Sequence, residues 1–312
     1  MTVDELMKSW GTFLTLYTNN STFRHNMEVL ASVPLDQLGQ DIACDAVKNV
    51  ADLYSRGELG VGVWQPHILD AEETLDYLLA PPVQRSFCRI GDGEIQIMKG
   101  LSTPFQEYDS TLAEKMLEIL RSNRSDCLVG IPHEYYIYPT GCTDYALDWN
   151  LKNRMRFVKF LADNLNKERH YIATYFTVAY MGSKESSILQ NHYDKILKLF
   201  EGKKLVVFAG ANILAGLKHD VFARAKSVEI VQCPKINAFS AYSLILDKAR
   251  SYPKDEVILG FILGPTATVA AWDLSAEGYT AWDLGHVAKD YDAYCRQVNR
   301  SAEETTKFFA PD

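Results

Sequence analysis

Short apolar runs alternate with stretches of helical periodicity from about residue 70 onward. The runs occupy residues 86–90, 127–131, 171–176, 205–210, 228–233, 257–264 and 279–285. Most of them are apolar at consecutive positions, as expected for strands that are buried on both faces of a parallel sheet. We therefore predict a strand at each run.

Between the runs, apolar residues recur every three or four positions, which is typical of amphipathic helices. The predicted helices cover residues 109–122, 148–166, 185–200, 236–250 and 267–277. This alternation predicts an α/β protein with a mostly parallel sheet of about seven strands flanked by helices. Ligands bind such sheets at the carboxyl ends of the strands, so the residues after each run are candidates for a site.

The first 60 residues show helical periodicity without such runs, and their last predicted helix ends at Gly57. We predict an N-terminal helical extension over residues 1–65 and a main domain over residues 66–312. The extension shows no convergent polar cluster. Its apolar faces favour packing against the main domain or a second subunit, which would give a homo-oligomer.

Composition narrows the class of protein. The net charge of −8 argues against nucleic-acid binding, because no basic excess is present to neutralise phosphates. The six cysteines are scattered without a CxxC pair, so they indicate neither a zinc site nor a disulfide framework. No signal peptide is evident, and no stretch reaches the ~20 apolar residues of a membrane span. We expect a soluble cytoplasmic protein.

The first run ends in the segment RIGDGE, which places two carboxylates beside glycines. Asp92 and Glu94 offer oxygen ligands two residues apart, which suit Mg²⁺ or Mn²⁺ together with substrate phosphates. Gly91 permits close approach of a ligand. Arg89 can bind a phosphate or hold a carboxylate. The alternative is that Asp92 caps a helix whose dipole Glu94 complements.

Three other runs lead into possible ligand contacts. After the sixth, Gly264 and Pro265 close the strand and Thr266 opens a helix, whose free N–H groups form either an anion site or an ordinary turn. After the fifth, Asn237 bonds a ligand or caps the next helix. The fourth is followed by glycines, among them Gly216, without the GxGxxG spacing, so dinucleotide binding is poorly supported.

The seventh run is followed by an imidazole among acids. Asp283, His286, Asp290 and Asp292 lie within ten positions, around a glycine. A carboxylate near an imidazole can orient it for proton transfer, or the group can bind a metal. The alternative for the histidine is a structural role. Asp283, His286 and Asp290 are therefore the candidate catalytic residues.

The segments FCRIGDGE, CPKINAF, LGPTATVAAWDL and GYTAWDLGHVAKDY occur in an order that resembles the GT-D-type bacterial glycosyltransferases, a family first catalogued as a domain of unknown function. The resemblance covers about residues 80 to 295. It implies a Rossmann-like sheet, a nucleotide-sugar donor and a divalent cation, Mn²⁺ or Mg²⁺. It also implies an Asp-x-Glu metal motif at Asp92 and Glu94.

On this resemblance, one set of residues is expected to bind the nucleotide sugar: Arg89, Gly91, Asp92, Gly216, Asp220, Asn237, Gly264, Pro265 and Thr266. The chain departs from the family pattern in having no arginine from residue 170 to residue 223, where Lys218 and His219 are the cations that could replace it. The acid that usually follows the Gly-His element is Ala288 here.

The predicted function is transfer of a sugar from a nucleotide diphosphate sugar, with UDP the expected nucleotide, to a hydroxyl of a glycan or glycoconjugate. A base among Asp283, His286 and Asp290 would take the proton of that hydroxyl. Two alternatives stay open. One is a metal-dependent phosphohydrolase, and the other is a non-catalytic nucleotide-binding or scaffold protein.

Overall fold

The structure is a computed structural model. It describes Tyr17 and residues 66–81, 84–136, 142–184 and 186–310. The predicted N-terminal helices lie outside the described residues, Tyr17 apart. The chain divides into two compact units, and the one that holds residues 67–133 and 166–312 contains the whole sheet. The predicted domain boundary after residue 65 stays a prediction.

The helices and strands follow the predicted alternation. The α-helices are α1 (Ala71–Leu79), α2 (Asp92–Met98), α3 (Ser110–Arg121), α4 (Asp144–Asn164), α5 (Ala179–Gly182), α6 (Ser186–Phe200), α7 (Tyr242–Arg250), α8 (Pro265–Ala276), α9 (Val287–Arg296) and α10 (Ala302–Phe309). The strands are β1 (Ser86–Arg89), β2 (Cys127–Ile131), β3 (Ile172–Ala173), β4 (Lys204–Gly210), β5 (Ser227–Cys233), β6 (Ile258–Ile262) and β7 (Thr280–Asp283). No helix in these described ranges is long and apolar enough to cross a membrane.

The seven strands form one sheet in the order β3–β2–β1–β7–β6–β4–β5. Every strand pair in it is parallel, which confirms the predicted fold class. The chain builds β2 and β3 on one side of β1 and places β4 to β7 on the other. The strand order therefore switches between β1 and β7, and a crevice forms at the carboxyl ends of strands at such a point.

Helix α8 packs over the centre of the sheet, against β1 and β7. All of its 12 residues are buried except Asp273 and Ala276. The small side chains of Ala267, Ala270 and Ala271 let the helix approach the strands closely. The N-terminus of α8 is consequently held in the crevice between β1 and β7.

Two predicted strands differ in the structure. The run 171–176 is a strand only at Ile172–Ala173, and a 3₁₀ turn follows at Tyr175–Thr177, where the chain accepts hydrogen bonds from Arg89 of β1. Strand β5 lies at the edge of the sheet and is mostly exposed, with Val228 and Ile230 at 37% and 38%. Helices α1, α2, α5, α9 and α10 lie outside the five predicted helix ranges.

The aromatic core beneath the crevice gives a test of the fold. Phe87 is fully buried, stacked on Trp282 and edge-on to Phe176 at centroid distances of 5.7 and 5.4 Å. Phe87→Ala should lower the free energy of unfolding by about 3–5 kcal/mol in urea denaturation, because it leaves a cavity. Leu244→Ala is the control, since Leu244 is 71% exposed and its change should stay within about 0.5 kcal/mol. Equal losses in the two variants would contradict the assigned core.

Candidate active site

A buried ion pair joins the ends of β1 and β7. Nη2 of Arg89 lies 2.8 Å from Oδ1 of Asp283, and the two side chains are 12% and 2% exposed. The backbone N–H of Arg89 donates to Oδ2 of Asp283 at 3.2 Å, and its Nε donates to the Asp283 carbonyl at 3.0 Å. Arg89 therefore holds a carboxylate, which is one of the two roles that its position after β1 allows.

Neighbouring groups complete the hydrogen bonding of Asp283. The hydroxyl of Thr268, on α8, lies 3.2 Å from Oδ2 of Asp283 and 2.9 Å from the Arg89 carbonyl. The backbone N–H of Gly285 donates to Oδ1 at 3.2 Å. A carboxylate that is buried, paired with a cation and bonded on both oxygens is poorly placed to take a proton from a substrate. This placement favours an anchoring role for Asp283.

The other side of the Arg89 guanidinium meets the turn after β3. Nη1 donates to the Thr174 carbonyl at 3.3 Å and to the Thr177 hydroxyl at 3.0 Å. Sequence analysis missed both threonines, since the run 171–176 shows no polar signal beyond ordinary β-branched residues. The turn is therefore part of the site, although it follows a different strand.

Asp92 and Glu94 begin helix α2 beside the ion pair. Glu94 Oε2 accepts a hydrogen bond from the backbone N–H of Gly91 at 2.8 Å, as in a helix cap. The Tyr175 hydroxyl donates to Oδ1 of Asp92 at a long 3.4 Å. The capping alternative thus holds in part, with Glu94 as the residue that caps.

Desolvation makes both carboxylates costly in their charged forms. Burial raises the pKa of Asp92. Burial also raises the pKa of Glu94 from 4.5 to about 7, and the negative charge of Asp283 adds to that rise while Arg89 opposes it. A bound cation would stabilise the charged form of either acid.

The residues fit a divalent cation only in combination with a ligand. Within the described part of the chain, no cluster of three or more His, Cys, Asp or Glu side chains is arranged to hold a metal ion. Mg²⁺ typically takes one or two carboxylates and completes its shell with waters and substrate phosphates. Asp92 and Glu94 match that donor set.

His286 lies just before α9, within an aromatic cluster. The centroid of its ring lies 5.5–6.2 Å from the ring centroids of Phe105, Phe308 and Phe309. Burial lowers the pKa of His286 from 6.5 to about 3, and the positive charges of Arg89 and Lys289 add to the effect. The imidazole is therefore neutral near pH 7, and it can accept a proton but holds it weakly.

Asp290 lies in the core, separate from the ion pair. Its carboxylate is fully buried and accepts hydrogen bonds from the N–H groups of Tyr180 and Met181 and from the Tyr193 hydroxyl, at 3.0, 3.1 and 2.6 Å. Burial raises its pKa. A carboxylate with no exposed surface and three donors is poorly placed to reach an acceptor hydroxyl. Its contacts favour a role in joining α9 to α5 and α6.

The N-terminus of α8 keeps features of an anion site. Gly264 adopts φ 54°, which favours glycine, and Pro265 occupies the first helical position. The Thr266 hydroxyl is buried and has no hydrogen-bond partner among the described residues. The exposed backbone of Gly264 at the positive end of a helix is suited to a phosphate oxygen.

Asn237 anchors a loop. It has φ 54°, its N–H donates to the Phe105 carbonyl at 2.9 Å, and its Oδ1 accepts from the Glu107 N–H at 2.6 Å. The residue thus ties the segment after α2 to the segment after β5. The segment after α2 also supplies Phe105 to the aromatic cluster around His286, a contact that the sequence does not signal.

Gly216 and Asp220 lie in the exposed connection between β4 and β5. Oδ1 of Asp220 accepts a hydrogen bond from the Phe222 N–H at 2.8 Å. Asp292 supports the same connection, because its Oδ1 accepts from the N–H groups of Lys218 and His219. No hydrogen bond in the described structure joins Gly216 or Asp220 to the Arg89–Asp283 pair.

Comparison with known proteins identifies the class to which this fold and site belong. The family model of the glycosyltransferase GT-D fold matches residues 87–311, which is well over half of the chain. The chain belongs to this family. The match begins in β1 and ends after α10, so it includes the whole sheet.

Individual relatives agree with that assignment. The chain is 30% identical over 230 residues to a probable glycosyl transferase Gly of Streptococcus gordonii and 29% identical over 222 residues to the glycosyltransferase GlyD of Streptococcus pneumoniae serotype 4. These matches cover 73% and 71% of this chain but only 33% and 27% of the relatives. The chain thus spans about a third or less of the curated relatives that it matches.

Solved structures show the same fold. A structure of the domain of unknown function 1792, described as having a distinct glycosyltransferase fold, superposes with a TM-score of 0.69 at 28% identity, covering 74% of this chain and 82% of that one. A glycosyltransferase with the same domain from Streptococcus sanguinis gives a TM-score of 0.69 at 27% identity, covering 75% and 86%.

The close approach of Arg89 to Gly285 yields a prediction. Gly285 has φ 49°, and a methyl group built on it would overlap the Arg89 guanidinium. Gly285→Ala should therefore lower the free energy of unfolding by more than the ~1–2 kcal/mol of the left-handed backbone, since it also disturbs a buried ion pair. Urea denaturation provides the measurement.

Gly278→Ala is the matched control for Gly285→Ala. Gly278 has φ 86°, but a methyl group there meets only the side chain of Lys254. The control should show the backbone cost alone. Equal destabilisation by the two substitutions would mean that the Arg89–Asp283 pair tolerates a side chain at position 285.

Proposed function

We propose that this chain transfers a sugar from a nucleotide diphosphate sugar, with UDP as the nucleotide, to a hydroxyl of a glycan or glycoconjugate. The supporting observation is that charged groups from separate segments converge where the sheet order switches. Both charges of the Arg89–Asp283 pair influence the pKa of Glu94, and Arg89 influences that of His286. A crevice with acids, an imidazole and a helix N-terminus suits a charged diphosphate donor.

The N-terminus of α8 is the part of the crevice best suited to the diphosphate. The Arg89 guanidinium is occupied by Asp283 and the turn after β3, so it contributes positive charge more readily than free hydrogen-bond donors. Gly264 instead offers an exposed backbone at the positive end of helix α8. This division of roles reduces the need for the arginine that is missing between residues 170 and 223.

Asp92 and Glu94 would hold Mn²⁺ or Mg²⁺ in the proposed enzyme. Bound there, such a cation would neutralise the charge that grows on the departing diphosphate. The protein's own part is to keep the two carboxylates in place: the Gly91 N–H bonds Glu94, and the Tyr175 hydroxyl bonds Asp92. A bound cation would lower the raised pKa values of both carboxylates.

His286 is the proposed base for the acceptor hydroxyl. Of the three candidates from the sequence, Asp283 is paired with Arg89 and Asp290 is enclosed in the core. His286 is partly exposed and neutral near pH 7, so its ring can receive a proton. Its lowered pKa makes it a weak base, and it is therefore suited to a step in which the proton is needed only transiently.

The proposed function is tested by offering a panel of UDP-sugars with and without hydroxyl acceptors. Formation of a new glycosidic bond supports a transferase. Release of free sugar or phosphate that is independent of acceptor would support the phosphohydrolase alternative. If no donor in the panel is turned over but UDP still binds, the result would favour the non-catalytic alternative.

The proposed cation site gives the next prediction. Asp92→Asn and Glu94→Gln should each reduce Mn²⁺-dependent UDP binding and reduce transfer by at least ~100-fold, because each removes a charged ligand. Calorimetric titration of UDP with and without Mn²⁺ measures the binding. Glu114→Gln, an exposed acid on α3, is the matched control and should behave as wild type. Near-normal turnover by both site variants would remove the metal proposal.

A second prediction concerns the base. His286→Ala should lower the turnover number by ~10²–10⁴-fold, the usual range for general base catalysis, while the affinity for UDP changes little. Steady-state kinetics and calorimetry separate the two quantities. If UDP affinity falls instead and turnover follows occupancy, His286 belongs to the donor site and the base lies elsewhere.

A further inference from the structure

The turn after β3 supports both charged arms of the site. Its Thr174 carbonyl and Thr177 hydroxyl accept hydrogen bonds from Arg89, and its Tyr175 hydroxyl donates to Asp92. The position of this one turn therefore affects the ion pair and the acidic pair at once.

Regular secondary structure does little to fix this turn. Strand β3 has only two residues, and the 3₁₀ turn that follows it has three. Two backbone hydrogen bonds frame the turn, from Thr174 N–H to the Ile131 carbonyl at 3.0 Å and from Val178 N–H to the Tyr175 carbonyl at 2.9 Å. The carbonyl of Phe176, between them, is bonded by a side chain of α6.

That side chain is His192. It is 3% exposed, and its Nε2 lies 2.8 Å from the Phe176 carbonyl oxygen. Its Nδ1 lies 2.9 Å from Oε1 of Glu72 on α1. The hydrogen bond from His192 is the main reason that the pKa of Glu72 is lowered to about 2, so Glu72 is an ionised acceptor. A carbonyl and a carboxylate are both acceptors, so each nitrogen of the His192 ring lies against an acceptor.

Charged side chains of α1, α6 and α9 surround the hydrogen bonds of His192. Glu72 also binds Lys195 at 2.9 Å, and Lys195 binds Asp76 at 2.7 Å. The ring of Tyr193 packs edge-on to the His192 ring, and the Tyr193 hydroxyl donates to Asp290 on α9. The acids of α1 and α9 thus outnumber the one lysine that faces this network.

We infer that His192 is a positioning residue of the glycosyltransferase site: anchored on Glu72, it fixes the turn Tyr175–Thr177 through the Phe176 carbonyl and thereby holds Arg89 and Asp92 in place. His192 touches neither residue and acts through the turn. The inference rests on the proposed function only for the identity of the donor.

Two amide substitutions of His192 distinguish the two hydrogen bonds of its ring. In His192→Gln the side-chain amide nitrogen can occupy the place of Nε2, and in His192→Asn it can occupy the place of Nδ1. The glutamine variant therefore keeps the bond to the turn, whereas the asparagine variant keeps only the bond to Glu72. Both are neutral and of similar polarity, so a general effect of substitution in the core should be similar in the two.

Residue-resolved hydrogen exchange of the folded protein measures the turn directly. The Val178 amide should exchange about 10- to 100-fold faster in His192→Asn, the range expected when a buried carbonyl loses its hydrogen bond, and near the wild-type rate in His192→Gln. The amides of Tyr180 and Met181 are an internal reference, since they donate to Asp290. Equal exchange of Val178 in both variants would overturn the inference.

Kinetics give a second readout. The donor KM should rise in His192→Asn and recover in His192→Gln, while the acceptor KM stays constant. Failure of the wild-type protein to bind UDP with Mn²⁺ would count against the proposed function, and hydrogen exchange would still decide the role of His192. If His192→Asn does not fold, Glu72→Ala replaces it, since Glu72 is a third exposed. Faster exchange of Val178 in that variant supports the inference, and wild-type exchange overturns it.

Discussion

The ion pair between Arg89 and Asp283 is the interaction on which the site depends. Removing two charges from water is expensive, and such a pair persists only where further hydrogen bonds satisfy its remaining atoms. Here those bonds come from α8, from the turn after β3 and from the Gly285 N–H. The pair therefore ties two central strands to a helix and a turn at the point where the strand order switches.

This arrangement explains how neighbouring acids come to have different environments. Asp283 is paired with Arg89, Asp290 is bonded within the core, and Asp292 supports the connection after β4. These residues lie within ten positions, but a strand end, a turn and a helix direct their side chains to different places. A cluster in the sequence is thus dispersed in space, and His286 is left as its partly exposed member.

Membership of the glycosyltransferase GT-D fold family agrees with the geometry of the crevice. Asp92 and Glu94 are partly buried, which raises the pKa of both, and Glu94 also lies in the field of the ion pair. The N-terminus of α8 offers the complementary feature, a place for negative charge. In the proposed function, a donor that carries both a diphosphate and a bound cation would match both features.

The sequence by itself determined the α/β class, the parallel sheet and the strand ends that carry the site, because buried strands show as continuous apolar runs and parallel strands share a carboxyl edge. The RIGDGE, GPTAT and DLGH segments were found in that way. Only the tertiary structure decided that Arg89 binds Asp283, that Asp290 is enclosed and that Asn237 anchors a loop. It also supplied Phe105, Thr174, Tyr175 and His192, whose contacts join residues far apart in the chain. Spacing and periodicity report on local structure, and they carry no information about which distant side chains meet.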